Sequence, residues 1–151
     1  MKPMRIGAAV LEEARRFFEE RGAEGLEATA LIACRSEQVA NRLVIPTQRA
    51  GRGLGCWVEV SLAGKLELAA ALDLEERYVA RIHSHPGEAF HSDTDNENPI
   101  LTQRGALSIV VPFFGLGLRR GLADCAVYVR QGDRWDELPP GREREAWVTV
   151  V

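Results

Sequence analysis

Apolar positions along the chain follow two periods, and their alternation predicts an α/β fold. From Gly7 to Glu20 the apolar residues Val10, Leu11, Ala14, Phe17 and Phe18 recur at steps of three and four. That spacing marks one face of an amphipathic helix, closed by Gly22 and Gly25. Leu26 to Cys34 is a small, apolar, mostly uncharged run, expected as a buried strand. Val39 to Ile45 is a second strand, stopped by Pro46. Thr47 to Gly55 is rich in glycine and arginine and is expected as a mobile loop, followed by a short strand at Trp57 to Val60. Ser61 can cap a second helix whose apolar face is Leu62, Leu66, Ala69, Ala70 and Leu74. Tyr78 to Ser84 is a strand, and the polar stretch from His85 to Arg104 is a long loop of the kind that is usually functional or disordered. Ala106 to Val111 is a strand ended by Pro112. Leu122 to Arg130 and Trp135 to Leu138 form a hairpin turning at Gln131, Gly132 and Asp133, and Trp147 to Val151 adds a last strand. This order predicts a mixed β-sheet flanked by helices.

The chain has 151 residues, 46% apolar and 27% charged, in the range of one soluble globular domain spanning residues 1–151. Its net charge of −3 leaves no basic excess for general nucleic-acid binding. The apolar stretches are too short to span a bilayer, and Glu12 and Glu13 interrupt the N-terminal one before a signal sequence is complete. No nucleic acid or membrane partner is therefore expected. Cys34, Cys56 and Cys125 are far apart, odd in number and set among apolar neighbours, so they are expected as small buried residues in a reducing, cytoplasmic setting. The glycines around Gly115 and Gly117 lack phosphate-loop spacing and predict no nucleotide site. Phe113 and Phe114 are expected in the core or in a cleft wall.

The three histidines of the chain, His83, His85 and His91, fall within nine residues. Strand alternation puts His83 and His85 on one face at a strand end, where both rings can meet one ion at about 2.0–2.1 Å, the zinc–nitrogen distance. The Asp95 carboxylate can fold back as a third ligand. Two imidazoles and a carboxylate leave the fourth tetrahedral position open for water, as catalytic zinc requires. Such a site still needs a general base from elsewhere in the chain.

His83-Ser84-His85-Pro86 followed by Ser92-Asp93-Thr94-Asp95 resembles the motif of the JAMM (JAB1/MPN) metalloproteases, in its bacterial form. The resemblance implies a JAB1/MPN, cytidine-deaminase-like architecture and one zinc ion per chain, held by His83, His85 and Asp95. It also implies Glu27 as general acid/base and Ser92 as a hydrogen-bond donor to the oxyanion. Ala30 and Cys34 stand where the family often has glycine, so Glu24 competes with Glu27, with Glu59 behind them. The segment from His85 to Ser92 is one residue shorter than in many eukaryotic members, which leaves Asp93 as the alternative to Asp95. His91 is expected near the cleft, where it can touch substrate. Arg49 and Arg52 are either solvated loop residues or a clamp for a carboxylate-bearing tail.

The activity implied is zinc-dependent hydrolysis of a peptide or isopeptide bond at the C-terminal tail of a ubiquitin-like protein. E1-like or E2-like enzymes are the partners expected beside it. One alternative is maturation of a sulfur-carrier protein by the same chemistry. Another, of a different class, is a non-catalytic MPN-type scaffold; a DNA-associated relative is disfavoured by the acidic charge.

Overall fold

The computed structural model describes residues 2–52, 56–90 and 101–151. Among the described residues ten strands and three helices follow one another: β1 (Met4–Ile6), α1 (Ala8–Ala23), β2 (Thr29–Arg35), β3 (Arg42–Val44), β4 (Gln48–Gly51), β5 (Trp57–Val60), α2 (Leu62–Ala71), β6 (Glu76–Ser84), β7 (Leu107–Val111), β8 (Ala126–Gln131), β9 (Arg134–Glu137), α3 (Arg142–Glu145) and β10 (Val148–Val150). A 3-10 helix, Phe114–Leu118, follows β7.

Six strands form the central sheet in the order β3-β2-β6-β7-β8-β9. Only β6 and β7 run parallel; every other neighbouring pair is antiparallel. The mixed sheet read from the sequence is therefore present, and helices cover both of its faces. On one face Val10, Leu11, Ala14 and Phe18 of α1 pack against Ala30 and Ile32 of β2, Ala80 and Ile82 of β6, and Ile109 of β7. On the other, Leu68 of α2 and Val60 of β5 meet Leu31, Leu101 and Ala106. Both faces of β2 are buried, which explains why its sequence is continuously apolar rather than alternating.

Several elements differ from expectation. Helix α1 runs through Gly22 and ends at Glu24; the turn itself is made by Gly25, at φ +74°. Gly22 is instead a point of close approach, since a Cβ there would stand 2.6 Å from Phe114 Cβ. Residues 48–51 are not a loop but strand β4, paired with β5 in a separate two-stranded sheet. The apolar face of α2 is not the one expected. The helix packs through Gly64 and Leu68, and Leu62, Leu66 and Leu74 face solvent. Leucines spaced by four line both sides of this helix, so periodicity alone cannot choose between them. Ser61 does cap it, accepting from Gly64 N–H at 3.0 Å. Residues 122–125 form a turn ahead of β8 rather than part of the strand.

Strand β1 is absent from the hydrophobic pattern. It pairs in parallel with β10, Met4 against Val148 and Ile6 against Val150, so two distant segments are joined side by side. Beneath α3, the buried Arg144 donates from Nε to Leu138 C=O at 2.9 Å and from Nη1 to Leu122 C=O at 2.8 Å. No helix of the described residues is long and apolar enough to cross a membrane.

Candidate metal centre

His83 and His85 lie where β6 ends, beside the end of its parallel neighbour β7. The histidines and Ser84 are all buried, and His83 is fully so. Ile82 points into the α1 core, so alternation turns His83 and His85 toward the α2 face. Their Nε2 atoms approach to 3.2 Å, with ring centroids 5.0 Å apart. Two imidazole nitrogens on one tetrahedral zinc at about 2.0–2.1 Å stand roughly 3.3–3.4 Å apart, so the observed separation fits a shared ion.

The His85 ring is oriented from behind. Its Nδ1 lies 3.3 Å from Glu88 C=O. A carbonyl can only accept, so Nδ1 carries the proton and Nε2 presents its lone pair toward His83. A backbone carbonyl on the distal nitrogen is the usual arrangement behind a metal-binding imidazole. Phe90 closes over the same ring edge-on, at 5.1 Å between centroids. The His85 backbone is held as well: its N–H donates to Val111 C=O at 2.9 Å, and its C=O accepts from Phe114 N–H at 2.7 Å. Phe113 N–H donates to Gly87 C=O at 2.9 Å. Phe113 and Phe114 both adopt left-handed backbone conformations, at φ +52° and +54°. Such geometry costs about 1–3 kcal/mol per residue, and here it aims two successive N–H groups at the histidine loop. Phe113 is about half exposed and so is not a core residue, and Phe114 covers Gly22.

The acidic candidates separate by position. In the β2–β6 ladder Thr29 stands opposite His83, and Ser84 N–H donates to Ala28 C=O at 2.9 Å. Glu27 is half-buried and lies two residues ahead of Thr29, in the segment that leads into β2 beside the end of β6. Glu24 is exposed at the end of α1. Glu59 is exposed on β5 and pairs with Arg49 at 3.3 Å. Arg49 itself is therefore a strand residue with a carboxylate partner, and Arg52 lies against Gly25. His91, Ser92, Asp93 and Asp95 lie outside the described residues. Among the described residues no group of three or more His, Cys, Asp or Glu is placed to hold a metal.

Two residues at the site were not singled out from the sequence. Ser84, between the histidines, points to the opposite face, where its Oγ accepts Ala28 N–H at 3.0 Å. It is the polar residue that alternation places inside the core, and a buried hydroxyl needs a partner. Gln48 of β4 binds the backbone of Thr29 on its other side. The cysteines are all free. Cys34 and Cys125 are buried as expected, whereas Cys56 is half-buried, with its Sγ 3.7 Å from Gly25 C=O.

The mixed sheet between α1 and α2 is the fold of JAB1/MPN proteins of known structure. A JAB1/MPN domain protein from Archaeoglobus fulgidus superposes over 99% of this chain and 100% of its own, with a TM-score of 0.56 and 17% identity. A protein described as JAMM, a metalloprotease-like zinc site in the proteasome and signalosome, covers 98% of this chain and 99% of its own, with a TM-score of 0.55 and 17% identity. A protein from Desulfitobacterium hafniense covers 98% and 92%, with a TM-score of 0.60 and 15% identity. In sequence, the chain is 56% identical over 61 residues to a probable metalloprotease of Sinorhizobium fredii. That match takes in 40% of this chain and 38% of the length of the relative. No family model matches the chain.

Proposed function

We propose that the protein is a zinc-dependent hydrolase that cleaves a peptide or isopeptide bond at the C-terminal tail of a ubiquitin-like protein. The observation that carries this reading is the approach of two buried Nε2 atoms to 3.2 Å at the end of β6. His83, His85 and Asp95 would hold the ion. A bound zinc supplies a Lewis acid for the scissile carbonyl and makes water acidic enough to attack at neutral pH. Glu27 takes the proton of the attacking water and passes it to the leaving amine. Ser92 donates a hydrogen bond to the oxyanion. The Glu88 carbonyl keeps His85 in the tautomer that leaves Nε2 available. The β4–β5 ladder, whose Arg52 end lies against Gly25, has an outer edge that would receive an extended tail, with Arg52, and Arg49 once exchanged from Glu59, as the cations for its carboxylate.

The deciding experiment is cleavage of a ubiquitin-like fusion with and without a chelator, with metal content measured in parallel. Glu27→Gln is expected to lower turnover at least about 100-fold, within the range of a lost general base, while zinc stays near one per chain. Retained turnover would move the base away from Glu27. His83→Ala is expected to lose the metal, and a zinc-replete His83→Ala protein would sink the ligand assignment.

A further inference from the structure

The start of β2 meets a break in its ladder. β2 and β3 pair with Leu31 opposite Val44, Ile32 opposite Leu43 and Ala33 opposite Arg42. Carried two positions further, the register sets Pro46 against Thr29. Proline has no N–H, so it cannot complete the ladder at that point. The Gln48 side chain supplies the missing partner. Its Oε1 accepts Thr29 N–H at 2.9 Å, and its Nε2 donates to Thr29 C=O and to Pro46 C=O, each at 2.9 Å. One N–H on one side and two carbonyls on the other fix which end of the amide is oxygen. The side chain thus imitates a strand residue, and it belongs to β4, where Gln48 pairs with Val60.

We infer that Gln48 is a positioning residue for the reaction proposed above, holding the first residue of β2 and, through it, the segment that carries Glu27. This inference rests on Glu27 being the general base. The backbone around Glu27 is held from three directions. Leu26 N–H donates to Arg21 C=O at 3.1 Å, at the end of α1. Ala28 N–H donates to Ser84 Oγ at 3.0 Å, on the β6 side. Gln48 closes the third direction, where β3 has turned away. A base that must meet both an attacking water and a leaving amine tolerates little drift, since a misplacement of about 1 Å can cost on the order of 100-fold in rate. Gln48 touches neither the histidines nor Glu27 in any of its three bonds, so its effect falls on rate rather than on the metal.

The test uses Gln48→Leu, which keeps the bulk and removes the three bonds, and Gln48→Glu, which keeps only the acceptor for Thr29 N–H. In the metal-free protein, amide exchange at Thr29 is expected to accelerate at least about tenfold in Gln48→Leu and less in Gln48→Glu. In the zinc-loaded protein, kcat is expected to fall about 10- to 100-fold in Gln48→Leu and by an intermediate factor in Gln48→Glu. KM should stay within about threefold, and zinc content should be unchanged. Thr47→Ala is the control: it removes the hydroxyl bond that ties the same hairpin to Glu67, at 2.8 Å, without touching Thr29. Its kcat should stay within about twofold of the parent protein. An equal loss in Thr47→Ala, an effect on KM alone, or unchanged exchange at Thr29 would overturn the inference. Glu27→Gln is measured alongside. If it is inactive while Gln48→Leu turns over like the parent, the inference alone fails; if Glu27→Gln keeps turnover, the reading of the base fails and takes the inference with it.

Discussion

Ser84→Ala removes the side-chain hydrogen bonds by which the end of β6 holds Ala28, a 3.0 Å bond accepted from Ala28 N–H and a longer one of 3.5 Å donated to Ala28 C=O. Both residues are fully buried. The substitution leaves the backbone bond from Ser84 N–H to Ala28 C=O in place. It strands the Ala28 donor in a site closed to solvent. A buried donor without a partner costs about 1–3 kcal/mol. For a chain of this size each kcal/mol lowers Tm by roughly 2–4 °C, so a drop of about 2–12 °C is expected. Urea unfolding of the metal-free protein reads the same quantity from the shift in midpoint at constant slope. Ser84 sits between His83 and His85, and Ala28 follows Glu27. If Ser84→Ala unfolds within about 0.5 kcal/mol of the parent, the size of an ordinary surface change, the hydroxyl is not what satisfies Ala28 and the reasoning fails.

Other outcomes follow from the packing and the charges. Gly22→Ala should destabilise by about 1–2 kcal/mol despite its better helix propensity, because the new methyl displaces Phe114, whose N–H holds His85 C=O; a gain in urea midpoint would contradict this. Arg144→Met leaves the carbonyls of Leu122 and Leu138 without their donor and should cost about 2–4 kcal/mol by the same assay; a cost near zero would show that the guanidinium is dispensable. Burial pushes the Cys125 thiol up to about 12, so at pH 8 it should resist a thiol reagent that labels the half-buried Cys56. Its folded value is raised, so its contribution to stability is complete below the unfolded thiol value of about 8.5. That contribution is lost as pH rises from there toward 12. The alkaline loss measured by urea unfolding should therefore be shallower in Cys125→Ala, and an identical slope would refute the assignment.

The hydrophobic pattern located α1 by its steps of three and four, β2 and β7 because both of their faces are buried and their sequences are continuously apolar, and the β8–β9 hairpin by its turn residues. It also placed His83 and His85 on one side of a strand, which is a property of alternation alone. Glu27 needed more. Its standing over Glu24 comes from the family resemblance; the structure adds that Glu24 is exposed at the end of α1 whereas Glu27 is half-buried at the entry to β2, and no local pattern contains that. Gln48 was beyond reach for a related reason: its role depends on Pro46 falling opposite Thr29. The segment around it, rich in glycine and arginine, has the composition of a loop although it pairs as a hairpin. The exposed leucines of α2 show the opposite failure, since a helix with apolar stripes on two sides does not announce which one the sheet will take. β1 was missed because three residues, of which only Ile6 is fully buried, carry too little pattern to stand out.

The parallel pairing of β1 with β10 also says something about how the chain reaches its final form. Roughly 140 residues lie between Ile6 and Val148, and at ordinary rates of synthesis they take about 7–30 s to appear. For that interval β1 exists without its partner, while α1, β2, β6 and β7 can already assemble around the histidines. Loop closure over such a span is slow and is compensated only at the end. The β1–β10 ladder is thus expected to form after the central sheet, and the candidate site does not have to wait for it.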